Sequence, residues 1–385
     1  MIPARPVLAS LVALLIAGPA AAKEAGSFVV MLGRDTTSVE RSLGTDARVE
    51  VDQIGRAPRV LRRHFVYDFK DGVISHLNMV VTPPGATTPT QVIDARFTAD
   101  SMLMQTRAGD APVREQHIAM PGGTVVVASS SPWSMYQRQT MKLARSGRDS
   151  LRTPMYLLGA GNTDWLSLHK AGRDSVVLFN THQDLFHLRV DKDGRILGVL
   201  PIAGTGKVSV QRVANLDLDA YAASWMALEK QGAGLGMLSP RDTVRVGVGG
   251  ALLSIDYGRP AKRGRVVFGG VVPLGEVWRT GANAATQFKT DKALDFGGTV
   301  VPAGFYTLWT IPSANGWKLV INGETGQWGT DHKADKDLYA IDMQLSALSQ
   351  PVERFTIGVE PSGGAGVLIM TWDTTRASVA FTAQP

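Results

Sequence analysis

A mainly β protein is what this sequence predicts: an amino-terminal antiparallel β domain carrying two helices, followed by a carboxy-terminal β-sandwich. Three observations lead there. The chain has 385 residues, and single cores usually stop growing at about 250 to 300. Its β-branched and aromatic residues come in short runs broken by Gly, Asp and Pro, the pattern of strand, turn and strand. A glycine-rich stretch at 232–237 then divides the chain. Hydrophobic residues make up 44% and charged residues 19%, enough apolar side chain for packed cores and far from disorder.

Residues 1–22 read as a secretory leader: Arg5, an apolar run over 7–17, the helix-breaking Gly18-Pro19, and Ala20-Ala21-Ala22 as a small-residue cleavage site. The run is shorter than the roughly 20 residues needed to span a bilayer, so a mature chain starting near Lys23 is expected. Domain one, 23–231, holds two clear hairpins, 60–69 with 73–81 through Asp71-Gly72 and 185–191 with 195–200 through Asp193-Gly194. Asp-Gly suits a type I′ turn, whose two central residues need positive φ. A helix over 132–145 is announced by Ser129-Ser130-Ser131 as cap and Pro132 at its first position. Trp133, Tyr136, Thr140 and Leu143 share a face directed at a core, and Arg138, Lys142 and Arg145 form a basic stripe on another. A second helix over 218–230, capped by Asp217 or Asp219, places Leu218, Tyr221, Ala222, Trp225 and Leu228 on its apolar side and ends at Gly232. Strands curling around these helices predict an apolar groove. Beyond the linker, 238–385 shows short strands at 245–248, 252–257, 307–311, 317–321, 353–359 and 366–372, the spacing of a sandwich, with 343–348 the one stretch that admits a helix.

Cysteine is absent, which excludes disulfides, thiolate metal sites, a cysteine nucleophile and a lipidated cysteine anchor. The formal charge is +6, reduced by one when Arg5 leaves with the leader. A balance this mildly basic favours anionic lipid or glycan surfaces by diffuse attraction. Nucleic acid is not expected as a partner of an exported chain.

Several motifs of the second domain occur in a fixed order: Ser239-Pro240-Arg241, Tyr257-Gly258-Arg259-Pro260, Gly264-Arg265, Phe268-Gly269-Gly270 and Val272-Pro273. Val277-Trp278-Arg279-Thr280-Gly281-Ala282-Asn283, Pro302-Ala303-Gly304-Phe305-Tyr306 and Gln327-Trp328-Gly329 follow. From about 239 to 381 the chain resembles the bacterial family known as domain of unknown function 2911. The resemblance implies a small exported β-sandwich and no assigned activity. It also marks two departures, Ala284 where the family pattern has Glu, and a missing aromatic residue after Gln-Trp-Gly, near His332.

The candidate binding surface is Tyr257, Arg259, Glu276, Trp278, Arg279 and Asn283. Two guanidinium groups suit a carboxylate, phosphate or uronic acid, and an indole suits a sugar ring. The ordinary structural reading puts Trp278 in the core and Arg279 on Glu276 or backbone carbonyls. For the basic stripe, the ordinary reading is a solvated helix face. No metal site is expected: His182 and Asp184 share a strand face while His187 points away, and lysines interrupt the acidic runs at 331–337 and 191–194. Gly204-Thr205-Gly206-Lys207 resembles a phosphate loop but has Pro201 and Val208 where glycine and Ser or Thr are required. Hydrolase signatures are missing, and no cofactor is implied. These readings leave three candidate functions. The first is an exported, non-enzymatic binding or scaffolding protein, such as an accessory subunit on the periplasmic face of an inner-membrane complex. The second is a periplasmic carrier of a lipid or other apolar ligand, and the third an envelope hydrolase or glycan-binding enzyme around Arg259, Glu276 and Arg279.

Overall fold

A computed structural model of the chain describes residues 23–128, 132–158, 163–180 and 184–384. The expected leader, the serines 129–131 and His182 lie outside the described residues. The amino-terminal part builds one sheet from fifteen strands. These are Lys23–Leu32 (β1), Asp35–Gly44 (β2), Arg48–Gly55 (β3), Leu61–Lys70 (β4), Val73–Thr82 (β5), Gln91–Phe97 (β6), Ser101–Ala108 (β7), Arg114–Ala119 (β8) and Val125–Val127 (β9). Helix α1, Trp133–Arg145, precedes Ser150–Leu157 (β10), Thr163–Lys170 (β11), Ser175–Asn180 (β12), Leu185–Val190 (β13), Ile196–Ala203 (β14) and Ser209–Val213 (β15), and helix α2, Leu218–Lys230, follows.

The chain walks outward from β1 to the edge strand β8, crosses to the other edge at β9, and returns strand by strand until β15 pairs antiparallel with β1. Only β9 and β10 run parallel, because α1 carries the chain between them. Both wings of the sheet close on α1. Ser134 N–H donates to Glu40 of β2, and the Arg138 guanidinium lies 3.7 Å from the Phe69 ring of β4. On the opposite wing, Trp133 meets Phe186 of β13 edge-on, and Thr140 Oγ1 donates to Gly194 O at 2.6 Å. The helix is therefore core rather than cover, and its buried set includes Met135 and Gln137 as well as Trp133, Tyr136, Thr140 and Leu143. Helix α2 packs on the other face, where Leu218, Ala222 and Trp225 cover Val39, Ile54 and Val60. Its N-terminus is capped by Asp217, which accepts from Ala220 N–H.

The Asp71-Gly72 turn has the expected two positive φ angles, 53° and 77°. The second hairpin turn corrects the expectation. Only Gly194 has positive φ, 81°, and Gly194 N–H donates to Asp191 O while the Asp191 carboxylate accepts from the amides of Asp193 and Arg195. This is a type I turn with a glycine bulge, set by the carboxylate of Asp191. Glycine is required twice over, since a Cβ there would sit 2.5 Å from Thr140 O of α1. The start of α1 also differs: Pro132 occupies the cap position, extended, with no side chain of its own to bond the helix amides.

The second sheet has nine strands in the order β16-β17-β18-β21-β22-β23-β24-β19-β20. They are Arg241–Val248 (β16), Ala251–Gly258 (β17), Thr286–Thr290 (β18), Leu294–Asp295 (β19), Val300–Val301 (β20), Gly304–Ile311 (β21), Trp317–Asn322 (β22), Asp337–Ser362 (β23) and Ala365–Ala383 (β24). The stretch that admitted a helix, 343–348, lies inside β23. Exposure alternates along Ile341, Asp342, Met343 and Gln344, the two-residue period of a half-buried strand. The first half of β23 pairs with β22, and past an irregularity its second half meets the segment after β17, where Phe355 N–H donates to Pro260 O. The sheet thereby folds over its own core.

The β1–β2 turn touches the second sheet through Arg263, 5% exposed, whose guanidinium bonds Asp35 at 2.5 Å while Arg34 N–H donates to Arg263 O. Gly33 makes the approach feasible: a Cβ there would lie 2.3 Å from Arg263 O. Asp35 keeps access to water and Arg263 does not, so the two halves of the pair are unequal. Asp35→Asn is expected to cost about 3 kcal/mol by stranding a buried cation. Arg263→Met should cost less, and the double variant should recover part of the Asp35→Asn loss; urea unfolding of the three variants checks the order.

Candidate ligand-binding cleft

The residues of the predicted binding surface are placed mainly by packing. Trp278 is 5% exposed and stands among Phe268, Trp317, Phe355 and Trp372, with ring centroids 4.9 Å from Phe355 and 5.9 Å from Trp372. Tyr257 is buried beside Phe355, its hydroxyl donating to Ile357 O and accepting from Ile357 N–H. Arg259 bonds Asp242 at 3.0 Å, Thr356 Oγ1 at 2.9 Å and Phe355 O at 3.3 Å. Glu276 and Asn283 are exposed. Arg279 is largely buried, its Nε finds no partner among the described residues, and burial pushes its guanidinium down to about 10, with the attraction of Asp184 opposing. Thus Tyr257 and Trp278 meet through Phe355, whose carbonyl also accepts from Arg259, while Glu276 and Asn283 face water.

The family-like motifs nevertheless converge. Gly329 N–H donates to Asn283 O, Ala285 N–H to Gln327 O, and a Cβ on Gly329 would sit 2.1 Å from Arg279 Cδ. A Cβ on Gly258 would sit 2.3 Å from Ala282 O. These glycines let the segments around Tyr257, Trp278 and Gln327 touch backbone to backbone, so the motifs are joints of the second core. Of the basic stripe, Arg138 is half-buried over Phe69 and donates to Asp46 O, whereas Lys142 and Arg145 are exposed. Among the described residues no three His, Asp or Glu side chains gather as a metal site.

A site that motif reading missed lies on the inner face of the first sheet. A cleft of about 670 Å³ opens between its two edges, lined by Arg114, Glu115 and Gln116 of edge strand β8 and by Ala128 and Leu158 just past β9 and β10. Met79, Ile93 and Met104 form its apolar floor, with Arg63, Gln91 and Thr106 beside them. Strand register explains the lining. Met79 pairs with Ile93, Ile93 with Thr106 and Thr106 with Arg114, one continuous row across β5 to β8. The neighbouring row runs Glu40, Gln53, Arg63, Val81, Gln91. It is a polar ladder inside an apolar face: Gln53 Nε2 donates to Glu40 Oε2 at 3.3 Å, and Arg63 donates to Gln53 Oε1 at 3.5 Å.

Glu40 is the anchor of that ladder. It is fully buried and receives Ser134 N–H at 3.2 Å, so it caps from β2 the helix that Pro132 cannot cap. Burial outweighs these hydrogen bonds and raises the carboxyl to about 8. Arg63 is shifted down from the usual guanidinium range by burial.

Residues 239–381 match the family model described as a protein of unknown function, DUF2911. No curated protein matches the chain. Among solved structures, a DUF1089 family protein from Pseudomonas aeruginosa is similar at 14% identity, over 43% of this chain and 90% of that one, with a TM-score of 0.30. At that score the two share too little geometry for the likeness to bear on fold or function.

Because the folded value for Glu40 lies above its ordinary value near 4.5, the fold favours the neutral acid. Its contribution is complete below about pH 4.5 and is lost as pH rises through about 8. In that window the unfolded chain has released a proton that the folded chain retains, so stability falls by roughly 1 kcal/mol per pH unit. Urea unfolding of the wild type and Glu40→Gln between pH 5 and 8 should show the variant gaining steadily on the wild type as pH rises.

Proposed function

We propose that the protein is an exported, non-enzymatic binding protein whose first sheet carries one amphipathic small molecule in the cleft between its edge strands. The observation behind this reading is the cleft itself. A volume of about 670 Å³ falls within the range of small-molecule sites, about 300 to 1,000 Å³, and an apolar floor with a few polar groups at one side is their usual lining. The groove expected from strands curling around helices supports a carrier in preference to an accessory subunit, because a docking surface needs no recess. The exposed edge β8, with Arg114 and Glu115 facing water, supplies the polar mouth.

Export rests on the leader-like segment 1–22. On this reading the carrier works in the periplasm or outside the cell, where apolar molecules cross water between membranes. The second unit, with its aromatic core and the Arg263–Asp35 contact, serves as a support to the first.

Protein isolated gently from its native cells, extracted with organic solvent and followed by mass spectrometry, is expected to release a stoichiometric amphiphile. An empty extract together with a tightly associated protein partner would replace the carrier by the scaffolding reading. The intact mass of the same material should correspond to a chain beginning near Lys23; a mass including Met1 would count against export by a cleaved leader.

A further inference from the structure

We infer that the molecule held in the cleft carries an anionic oxyacid head, a carboxylate or a phosphate on an apolar tail, and that Arg63 is the residue that binds that head. The inference rests on the cleft being a ligand site and adds the class of ligand. Arg63 stands on the inner face, in the same register row as Gln53, and lines the cleft. A guanidinium has five N–H donors in a fixed fork, and cations withdrawn from water are nearly always paired with a carboxylate. Arg63 instead has a single weak hydrogen bond, to Gln53 Oε1 at 3.5 Å, and no carboxylate partner among the described residues.

The neighbouring acids are all engaged elsewhere. Glu40, two strands away along the ladder, spends its oxygens on Ser134 N–H and Gln53 Nε2. Glu115, the one acid lining the cleft, accepts from Gln105 Nε2 at 2.8 Å and faces His117 at 3.7 Å. Arg114, the second cation of the lining, has no ion pair among the described residues. The opposite face of the same strands shows how this sheet normally treats charge: Arg48 bonds Asp68 at 3.0 Å, and His76 sits between Asp68 and Asp94 at 3.3 and 2.8 Å. Room for the Arg63 guanidinium is kept by Gly55, where a Cβ would lie 2.6 Å from its Nη1. A cation held in reserve beside Met79, Ile93 and Met104 matches a molecule with a negative head and a hydrocarbon tail.

The test uses the delipidated mature chain with three probes of equal tail: hexadecanoate, hexadecyl phosphate and hexadecanol, titrated by calorimetry. At least one of the two anions is expected to bind about tenfold or more tightly than the alcohol, the gain from a charge-assisted hydrogen bond to Arg63. The tighter anion then identifies the head as carboxylate or phosphate. Arg63→Gln should bring that anion down to about the affinity that the variant shows for the alcohol, and a cooperative urea transition like that of the wild type shows that the variant is folded. Arg63→Lys should restore part of the difference. Equal binding of all three probes by the wild type, or an Arg63→Gln variant that still prefers the anion, overturns the anionic head and leaves the apolar cleft standing. Failure of all three probes to bind the wild type overturns the cleft as well.

Discussion

Closure of both sheet wings on helix α1 is the contact on which the amino-terminal structure depends. Fifteen strands in one sheet cannot stay flat, because strand twist accumulates, and α1 gives the two wings a common core to close upon. Trp133, Met135, Tyr136 and Leu143 join side chains of both wings in a single cluster. The helix end inside that cluster has amides to satisfy, and its own cap residue is a proline. A carboxylic acid from β2 supplies the acceptor, and this explains why Glu40 is tolerated with no exposure to water. The polar ladder from Glu40 through Gln53 to Arg63 then continues from the helix end toward the cleft. One requirement of helix geometry thus places polar groups along an apolar face, and the last of them reaches the cleft.

The second unit obeys a different constraint. Its core is aromatic, with Trp278 as the hub, and its chain segments are drawn so close that glycine alone fits at 258 and 329. Residues that suggest recognition in a sequence, Trp, Arg and Tyr in a glycine-rich setting, are here the means of packing. Arg259 illustrates the point: its fork is divided among Asp242, Thr356 and a carbonyl of β23, which is what holds the turn after β17 against the strand that crosses it.

Local features of the fold were legible in the sequence. Asp71-Gly72 marks its hairpin by the φ angles it needs, and the apolar stripes give the buried side of both helices, although Met135 and Gln137 join it on α1 and Tyr221 and Leu228 are only half-buried on α2. The ordered motifs from Ser239 to Gly329 indicate the second unit and its family resemblance. Features set by long-range register were not legible. Arg63 reads as one of two adjacent arginines in an ordinary alternating strand, and its isolation appears only once β3, β4 and β5 are aligned. Glu40 likewise looks like a surface residue between Val39 and Arg41 until α1 is laid against it. Residues 343–348 admitted a helix because Met, Leu and Ala are good helix formers, and pairing with β22 and β24 overrides that preference.

The out-and-back path of the first sheet has a consequence for how the chain reaches its structure. The strand that opens the domain, β1, has one neighbour from the next hairpin and another, β15, from the far end of the domain. Half of its hydrogen-bonding edge therefore stays vacant until almost the whole domain has been made. Such distant pairing belongs to slow folding, because the loop must close before the contacts that reward it exist. A chain emerging amino-terminus first therefore carries the open edge of β1 until β15 has been made.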